Sequence, residues 1–300
     1  MPDPNPLTAI QSDRRVTSKI LEQSPECRKM SGEGPADRSG ARMQLLQDRV
    51  CVISGAGQGL GRAVALEMAD EGASVVLLER NPDTLAQVSA EIAAKGGSAL
   101  PYALDVTDYD AYGRIVADVI AKRGKIDVLV NNAAINPPAR TILEDTLEDW
   151  RRTLQINLEA VYMGSKLVAP HMVKRKEGRI ISIASIQGFA SSGTVGAYNA
   201  AKGGIIAFTK SMAVELGPYE VLVNAVAPGY MSTPMSIING VNETETPEFI
   251  DLYVKKGRIP LRRAGYPEDV SGTVIFLASP YCRYMTGQLL IVDGGLMSTF

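Results

Sequence analysis

The sequence holds a single histidine, His171, in 300 residues. That scarcity excludes a histidine-rich zinc site, and any Ser–His triad that does not run through His171 itself. Cysteine is nearly as scarce. Cys27, Cys51 and Cys282 form no paired spacing, and an odd number argues against a disulfide framework and for a reducing, cytoplasmic setting. Charge of one sign is missing too: the net charge of −2 gives no field for nucleic acid or an anionic membrane. No apolar stretch is long and unbroken enough for a membrane span. What is present, 45% hydrophobic and 21% charged residues, is the composition of a globular chain with a sizeable core, within reach of one α/β domain.

Residues 1–42 differ from the rest. They carry Pro2, Pro4, Pro6, Pro25 and Pro35, several charges and little periodicity, without the apolar core of a secretory signal. The expectation is a disordered or loosely packed extension, with Met43 as the natural start. Over 43–300 the pattern alternates. Apolar, β-branched runs at 50–54, 74–78, 99–104, 128–131, 179–183, 221–226 and 289–292 are separated by helix-like stretches at 60–70, 82–95, 109–122, 147–176, 200–216 and 267–277. Such alternation predicts one doubly wound α/β domain, a mostly parallel seven-stranded sheet with helices on both faces. An irregular stretch at about 230–263 interrupts it late, where insertions at the carboxyl end of a strand cover ligands.

The first strand runs into Ser54-Gly55-Ala56-Gly57-Gln58-Gly59-Leu60-Gly61 and then a helix. Glycines there permit a sharp turn and let backbone amides approach a pyrophosphate at the helix start, where the dipole favours negative charge. Alone the string is weak. Its place after the first strand, with Glu79 ending the second strand, strengthens it, because an acid about twenty residues on can accept hydrogen bonds from adenosine ribose hydroxyls. A carboxylate there would repel a 2′-phosphate, which favours NAD over NADP. Arg80 is the complication, since a guanidinium could bind that phosphate. Read alone, Glu79 also fits a solvated strand-end acid and Arg80 a surface cation. Asp105-Val106 and Asn131-Asn132-Ala133-Ala134 close the third and fourth strands. Asp105 fits contact with an adenine amino group or plain turn chemistry.

Tyr198 and Lys202 are four apart at the start of a helix, on one face. A phenol ionises near pH 10, and a nearby ammonium should lower that value towards a useful general base. The preceding strand ends at Ser185, whose hydroxyl could approach the phenol. His171 reads as a helix-surface residue, Cys51 as core and Trp150 as packing.

Taken together these motifs resemble those of the short-chain dehydrogenases/reductases, from about residue 43 to 300. The matching pieces are the glycine loop, Asn131–Ala134, Asn157, Ser185, Tyr198-Asn199-Ala200-Ala201-Lys202, Asn224, Pro228-Gly229 and Val292-Asp293-Gly294-Gly295. Ser54 stands where threonine is commoner, and Ala134 where glycine is. The resemblance implies a Rossmann-type fold and a catalytic set of Asn157, Ser185, Tyr198 and Lys202. Tyr198 would exchange a proton with the substrate oxygen, Ser185 would hold that oxygen, Lys202 would bind the nicotinamide ribose, and Asn157 would hold a water linking Lys202 to solvent. The implied cofactor set is Gly55, Gln58, Gly59, Leu60, Gly61, Glu79, Arg80, Asp105, Val106, Asn132, Ala133, Tyr198, Lys202, Pro228, Gly229 and Thr233, with no metal. Thr233 would contact the carboxamide.

Substrate choice should come from the loops at 136–140, 187–194 and 230–258, with Ser185, Gln187, Tyr198 and Tyr230 as candidate contacts. Gln187 and Asn136 suit a sugar or polyol, whereas Met231, Met235, Ile237 and Ile238 make part of the lid apolar. The expected activity is NAD-dependent interconversion of a secondary alcohol and its ketone. The alternatives are an NADPH-dependent 3-oxoacyl-carrier-protein reductase and a non-catalytic nucleotide-sensing protein on the same fold. A homotetramer is expected, with a homodimer as alternative.

Overall fold

The structure, a computed structural model, describes residues 44–299; the expectations for residues 1–42 and for a start at Met43 lie outside the described residues. The elements run β1 (Val50–Ser54), α1 (Gly59–Asp70), β2 (Ser74–Glu79), α2 (Pro82–Ala94), β3 (Ser98–Ala103), α3 (Tyr109–Arg123) and β4 (Val128–Asn131). Next come α4 (Leu147–Leu154), a π-helical turn (Gln155–Glu159), α5 (Ala160–Arg175), β5 (Gly178–Ile183), α6 (Gly196–Leu216) and β6 (Val221–Pro228). The chain ends with the short pair β7 (Ile237–Ile238) and β8 (Val241–Asn242), one-turn α7 (Pro247–Phe249), α8 (Pro267–Ala278) and β9 (Leu289–Val292).

Seven strands form one sheet in the order β3-β2-β1-β4-β5-β6-β9, and every neighbouring pair in it is parallel. Strands β1, β4 and β5 are buried at every residue, as central strands are when helices cover both faces. The two-residue side-chain period divides β2 between two cores. Val75 and Leu77 join Val64 and Met68 of α1 and Val274 of α8; Val76 and Leu78 join Val116 of α3 and Val168 and Met172 of α5. A one-residue slip would exchange the two sets. Edge strand β3 carries Pro101 opposite Leu77, a place where a residue without an N–H is tolerated.

Three local features differ from the periodicity. The helix expected over 147–176 is broken by the π-helical turn at Gln155–Glu159, whose extra residue per turn leaves the apolar spacing almost unchanged and so escapes notice. Helix α6 starts at Gly196, without a capping side chain at Val195. Its start therefore has no marker, and Tyr198 falls in the first turn. The stretch after β6 is less irregular than expected: β7 and β8 form a hairpin across Asn239 and Gly240, both with positive φ (52° and 81°). Asn-Gly between short apolar pairs is a hairpin signal.

β1 and β4 are neighbours whose chains leave towards opposite sides of the sheet, so their carboxyl ends open a crevice. Their amino ends are held together by Asp127, which is 1% exposed. Its Oδ2 accepts from the Val50 N–H at 2.8 Å, and its carboxylate pairs with Lys125 at 2.9 Å and Arg175 at 2.7 Å. Burial pushes this carboxyl upward, but the Val50, Lys125 and Arg175 hydrogen bonds outweigh it and hold it below the ordinary aspartate range. A depressed carboxyl stabilises the fold at pH values above its unfolded pKa, about 4, and that contribution is lost as pH falls through the folded value. Asp127→Asn should therefore lower stability by about 3 kcal/mol at neutral pH. Urea denaturation at pH 7 and at pH 3.5 checks this, with the wild-type advantage shrinking at the lower pH.

Candidate active site

At the carboxyl end of β1 the backbone turns through Gly55, whose φ is +66°. A Cβ on Gly55 would lie 2.9 Å from the Ala133 Cα, and one on Gly61 would lie 2.0 Å from the Gly55 carbonyl oxygen. The loop is thus pressed against the end of β4 and against its own helix. Hydrogen bonds fix that contact: the Ser54 hydroxyl accepts from the N–H groups of Asn132 (3.0 Å) and Ala133 (3.1 Å). In return the Asn132 side chain donates to the carbonyls of Ser54 (2.9 Å) and Gly55 (3.1 Å).

Helix α1 has no side chain capping its first turn and no acidic residue there. Helices α2, α3 and α4 are capped by Asn81, Asp108 and Thr146. The first amides of α1 therefore keep unpaired donors and the positive end of the helix dipole, aimed from a glycine loop into the crevice. This fits a pyrophosphate.

Farther out, Glu79 accepts from the Gly57 N–H with one carboxylate oxygen (3.0 Å) and from the Asn81 N–H with the other (3.0 Å). The carboxylate is fixed against the glycine loop. Arg80 beside it is exposed. The Asp105 Oδ1 accepts from the Thr107 N–H (3.0 Å) and hydroxyl (2.7 Å). The Thr107 amide chiefly holds this carboxyl below its ordinary value, with the Thr107 hydroxyl, Arg80 and Arg152 adding to it against partial burial. Turn chemistry is thus one of its occupations.

At the other end, Lys202 is buried on α6 and donates to the Ile183 carbonyl at 2.7 Å; burial pulls its pKa down to about 8. Its Nζ lies 5.5 Å from the centre of the Tyr198 ring. The phenol does not follow the expectation of a lowered pKa. Burial raises it, and the hydrogen bond with Ser185 opposes that rise only in part. The reason is physical: the ammonium is itself desolvated and anchored on a carbonyl, so its attraction does not offset the loss of water around the phenolate. Ser185 begins a short 3₁₀ turn, its hydroxyl accepting from the Gln187 N–H at 3.1 Å.

Every residue of the expected cofactor set, and Ser185, Gln187 and Tyr230 besides, lines one cavity of about 320 Å³. Thr233 reaches the glycine loop from the segment after β6, its Cβ 3.6 Å from where a Gly59 Cβ would stand. Tyr230 is held in an aromatic cluster, its hydroxyl 2.9 Å from that of Tyr253 and its ring edge-on to Phe249 at 5.2 Å. Asn157 is the exception. Its side chain, 0% exposed, exchanges two hydrogen bonds with the backbone of Ile135 at 2.8 and 2.9 Å. It thereby pins the loop after β4 and does not line the cavity. Val195, Ile156 of the π-helical turn and, within the loop expected at 230–258, Glu243 and Thr244 also line it; none was singled out, because a single residue carries no spacing signal. Among the described residues no cluster of His, Cys, Asp or Glu is set to hold a metal, and no helix is long and apolar enough to cross a membrane.

Comparison with known proteins agrees with this geometry. A family model described as enoyl-(acyl carrier protein) reductase matches residues 55–297. The chain is 38% identical over 252 residues to the 3-oxoacyl-(acyl-carrier-protein) reductase FabG of Thermotoga maritima, covering 84% of this chain and 99% of that one. It is 35% identical to an L-rhamnose 1-dehydrogenase (NAD(P)(+)) of Azotobacter vinelandii, covering 84% and 98%. Among solved structures it is similar, with a TM-score of 0.78 and 36% identity over 86% of this chain and 100% of the other, to a putative NAD(P)-dependent gluconate 5-dehydrogenase from Beutenbergia cavernae with NADP bound at low occupancy.

The packing of the glycine loop sets up a direct test. Gly61→Ala would drive a methyl into the Gly55 carbonyl, so stability should fall by about 3 kcal/mol and dinucleotide affinity with it. Gly196→Ala meets nothing within 4 Å and should leave both unchanged, as thermal melts and cofactor titration would show.

Proposed function

This chain belongs to the short-chain dehydrogenase/reductase family, and on that premise we propose that it oxidises a secondary alcohol of a polyol, sugar or related hydroxy compound with NAD. It is an oxidoreductase acting on CH–OH groups, and its cofactor is a nicotinamide dinucleotide. The choice of NAD rests on one observation, the Glu79 carboxylate fastened by the Gly57 and Asn81 amides. A group so held cannot swing aside for a 2′-phosphate. An NAD pool kept mainly oxidised then favours alcohol oxidation as the working direction.

The bound nicotinamide supplies the hydride acceptor. The protein supplies the proton chemistry: Tyr198 takes the proton of the substrate hydroxyl, and Ser185 holds that oxygen and stabilises the phenolate. Lys202 binds the ribose and carries positive charge near the phenol. Asn157 holds the loop after β4 in register; its role in a water relay is part of the same proposal. The rhamnose name among the relatives supports a neutral sugar or polyol; the gluconate name speaks instead for a sugar acid, the class whose exclusion is tested below. The subunits are proposed to work in the cytoplasm as a homotetramer, with a dimer as the alternative. Tyr162 of α5 and Val214 of α6, exposed apolar side chains at 44% and 79%, suit subunit contact.

A second reading is an NADPH-dependent 3-oxoacyl reductase, favoured by the Thermotoga relative and by Met231 and Met235 on the cavity wall. Initial rates with NAD and NADP separate the two. The expected outcome is a preference for NAD that Glu79→Ala relaxes by about tenfold or more; a wild-type preference for NADP would overturn the reading.

Tyr198→Phe should reduce turnover by about 10³-fold while dinucleotide affinity, read by titration, persists. Alcohol oxidation needs the phenolate, and burial raises the phenol pKa, so kcat/KM should climb with pH above neutrality and ketone reduction should fall. Ser185→Ala, lacking the group that favours the phenolate, should shift the alkaline limb to higher pH; a pH–rate profile shows it.

A further inference from the structure

The reacting half of the cavity contains two hydrogen-bond acceptors that the protein leaves unmatched. The Gln187 Oε1 is buried without a hydrogen-bond partner, two residues after Ser185. The second is Glu243, which opens a 3₁₀ turn (Glu243–Glu245) after β8. The backbone around it is firmly placed. The Asn242 Oδ1 accepts from the Thr244 N–H (3.1 Å) and hydroxyl (2.9 Å), and the Glu243 carbonyl accepts from the Thr246 hydroxyl at 2.9 Å. The Glu243 side chain lines the cavity, half-buried, and its carboxylate forms no ion pair or hydrogen bond among the described residues. The cations on the cavity wall are Arg80, out beside Glu79 at the adenosine end, and Lys202, whose Nζ is anchored on Ile183.

A desolvated acceptor without a donor is unfavourable, and a carboxylate without a counterion more so. Such groups persist where a ligand completes them. Burial raises the Glu243 carboxyl, as an uncompensated charge requires, and Glu243 in turn adds to the upward shift of Tyr230. Resting on the reading above, we propose that Glu243, with Gln187, selects an uncharged polyhydroxy substrate. The Glu243 carboxylate, and the Gln187 amide once its sealed oxygen turns towards the cavity, take hydrogen bonds from hydroxyls other than the one being oxidised. The carboxylate at the same time excludes counterparts that carry a carboxylate or phosphate, by like-charge repulsion at the end of the cavity away from Arg80, where the one protein cation, Lys202, is anchored on Ile183. Specificity at this end is thus set by what the substrate donates and by the charge it lacks.

The test compares kcat/KM, with NAD and the full-length chain, on pairs matched in carbon skeleton: neutral polyols or sugars against their aldonate or phosphorylated counterparts. Wild type should favour the neutral member by about 100-fold. Glu243→Gln, which keeps an acceptor and removes the charge, should narrow that ratio by about tenfold or more. Glu243→Leu should raise KM for the neutral member more than it lowers kcat. A wild-type preference for the charged member, or an unchanged ratio in Glu243→Gln, would overturn the inference. If wild type oxidises neutral alcohols with NAD while the ratio stays unchanged, this inference alone falls. If it takes neither member of any pair and reduces 3-oxoacyl thioesters with NADPH, the parent reading falls and takes the inference with it. Dinucleotide titration and melting of each variant confirm folding, and the wild-type ratio is decisive even for a variant that does not fold.

Discussion

The site depends on one contact, the knot between the carboxyl ends of β1 and β4. The Ser54 hydroxyl accepts two amides of the β4 end, and the Asn132 side chain donates to two carbonyls of the β1 end. Gly61 must lack a side chain for the same knot to close. These bonds turn two adjacent, divergent strand ends into a rigid lip, and the uncapped start of α1 is aimed from that lip. Loosening it would let the amides find water or one another, and the crevice would lose its positive end. The Asp127 clamp at the opposite end of β1 and β4 fixes their register, so the two ends of the same strand pair divide stability and ligand binding between them.

Much of this was legible in the sequence. The parallel sense and the two helix-covered faces follow from alternation of apolar runs and helices, and the glycine loop, Glu79, Ser185, Tyr198 and Lys202 fall together because motifs at strand ends share one sheet edge. What was not legible has physical reasons. A π-helical turn changes the helix by one residue, too little to disturb apolar spacing, yet it turns Asn157 onto the backbone of Ile135. The start of α6 has no cap to mark it. The lid contains a hairpin whose Asn239-Gly240 turn was readable. Glu243 was not readable, because a carboxylate in a polar loop looks the same in sequence whether it meets solvent or a cavity.

The reacting pair shows where residue pairing misleads. Tyrosine and lysine four apart on a helix suggest mutual stabilisation of opposite charges. Lys202 is buried and Tyr198 half-buried, and desolvation acts on each separately, raising the phenol and lowering the ammonium. Desolvation outweighs their attraction because Lys202 is directed at the Ile183 carbonyl and not at the phenol oxygen. The protein alone therefore leaves Tyr198 protonated at neutral pH. This suits the ketone-reducing direction as it stands and makes oxidation depend on added positive charge near the ring. The oxidised nicotinamide is cationic and its reduced form neutral, so binding of the oxidised form favours the phenolate that alcohol oxidation needs.

The two ends of the cavity handle charge in opposite ways. At the Glu79 end both carboxylates already have partners: Glu79 holds two amides, and Asp105 holds the Thr107 amide and hydroxyl. On the proposed reading little changes there when a dinucleotide arrives, and that end reads shape and the sign of one phosphate. At the reacting end Gln187 Oε1 and the Glu243 carboxylate lack partners, while Tyr230 has its hydroxyl turned to Tyr253. A ligand that supplies hydroxyl donors relieves both deficits at once, and one that brings another acceptor deepens them. Binding strength at that end is therefore concentrated in the ligand's donors, close to the atom that reacts, where differential contact can act on the chemical step as well as on affinity.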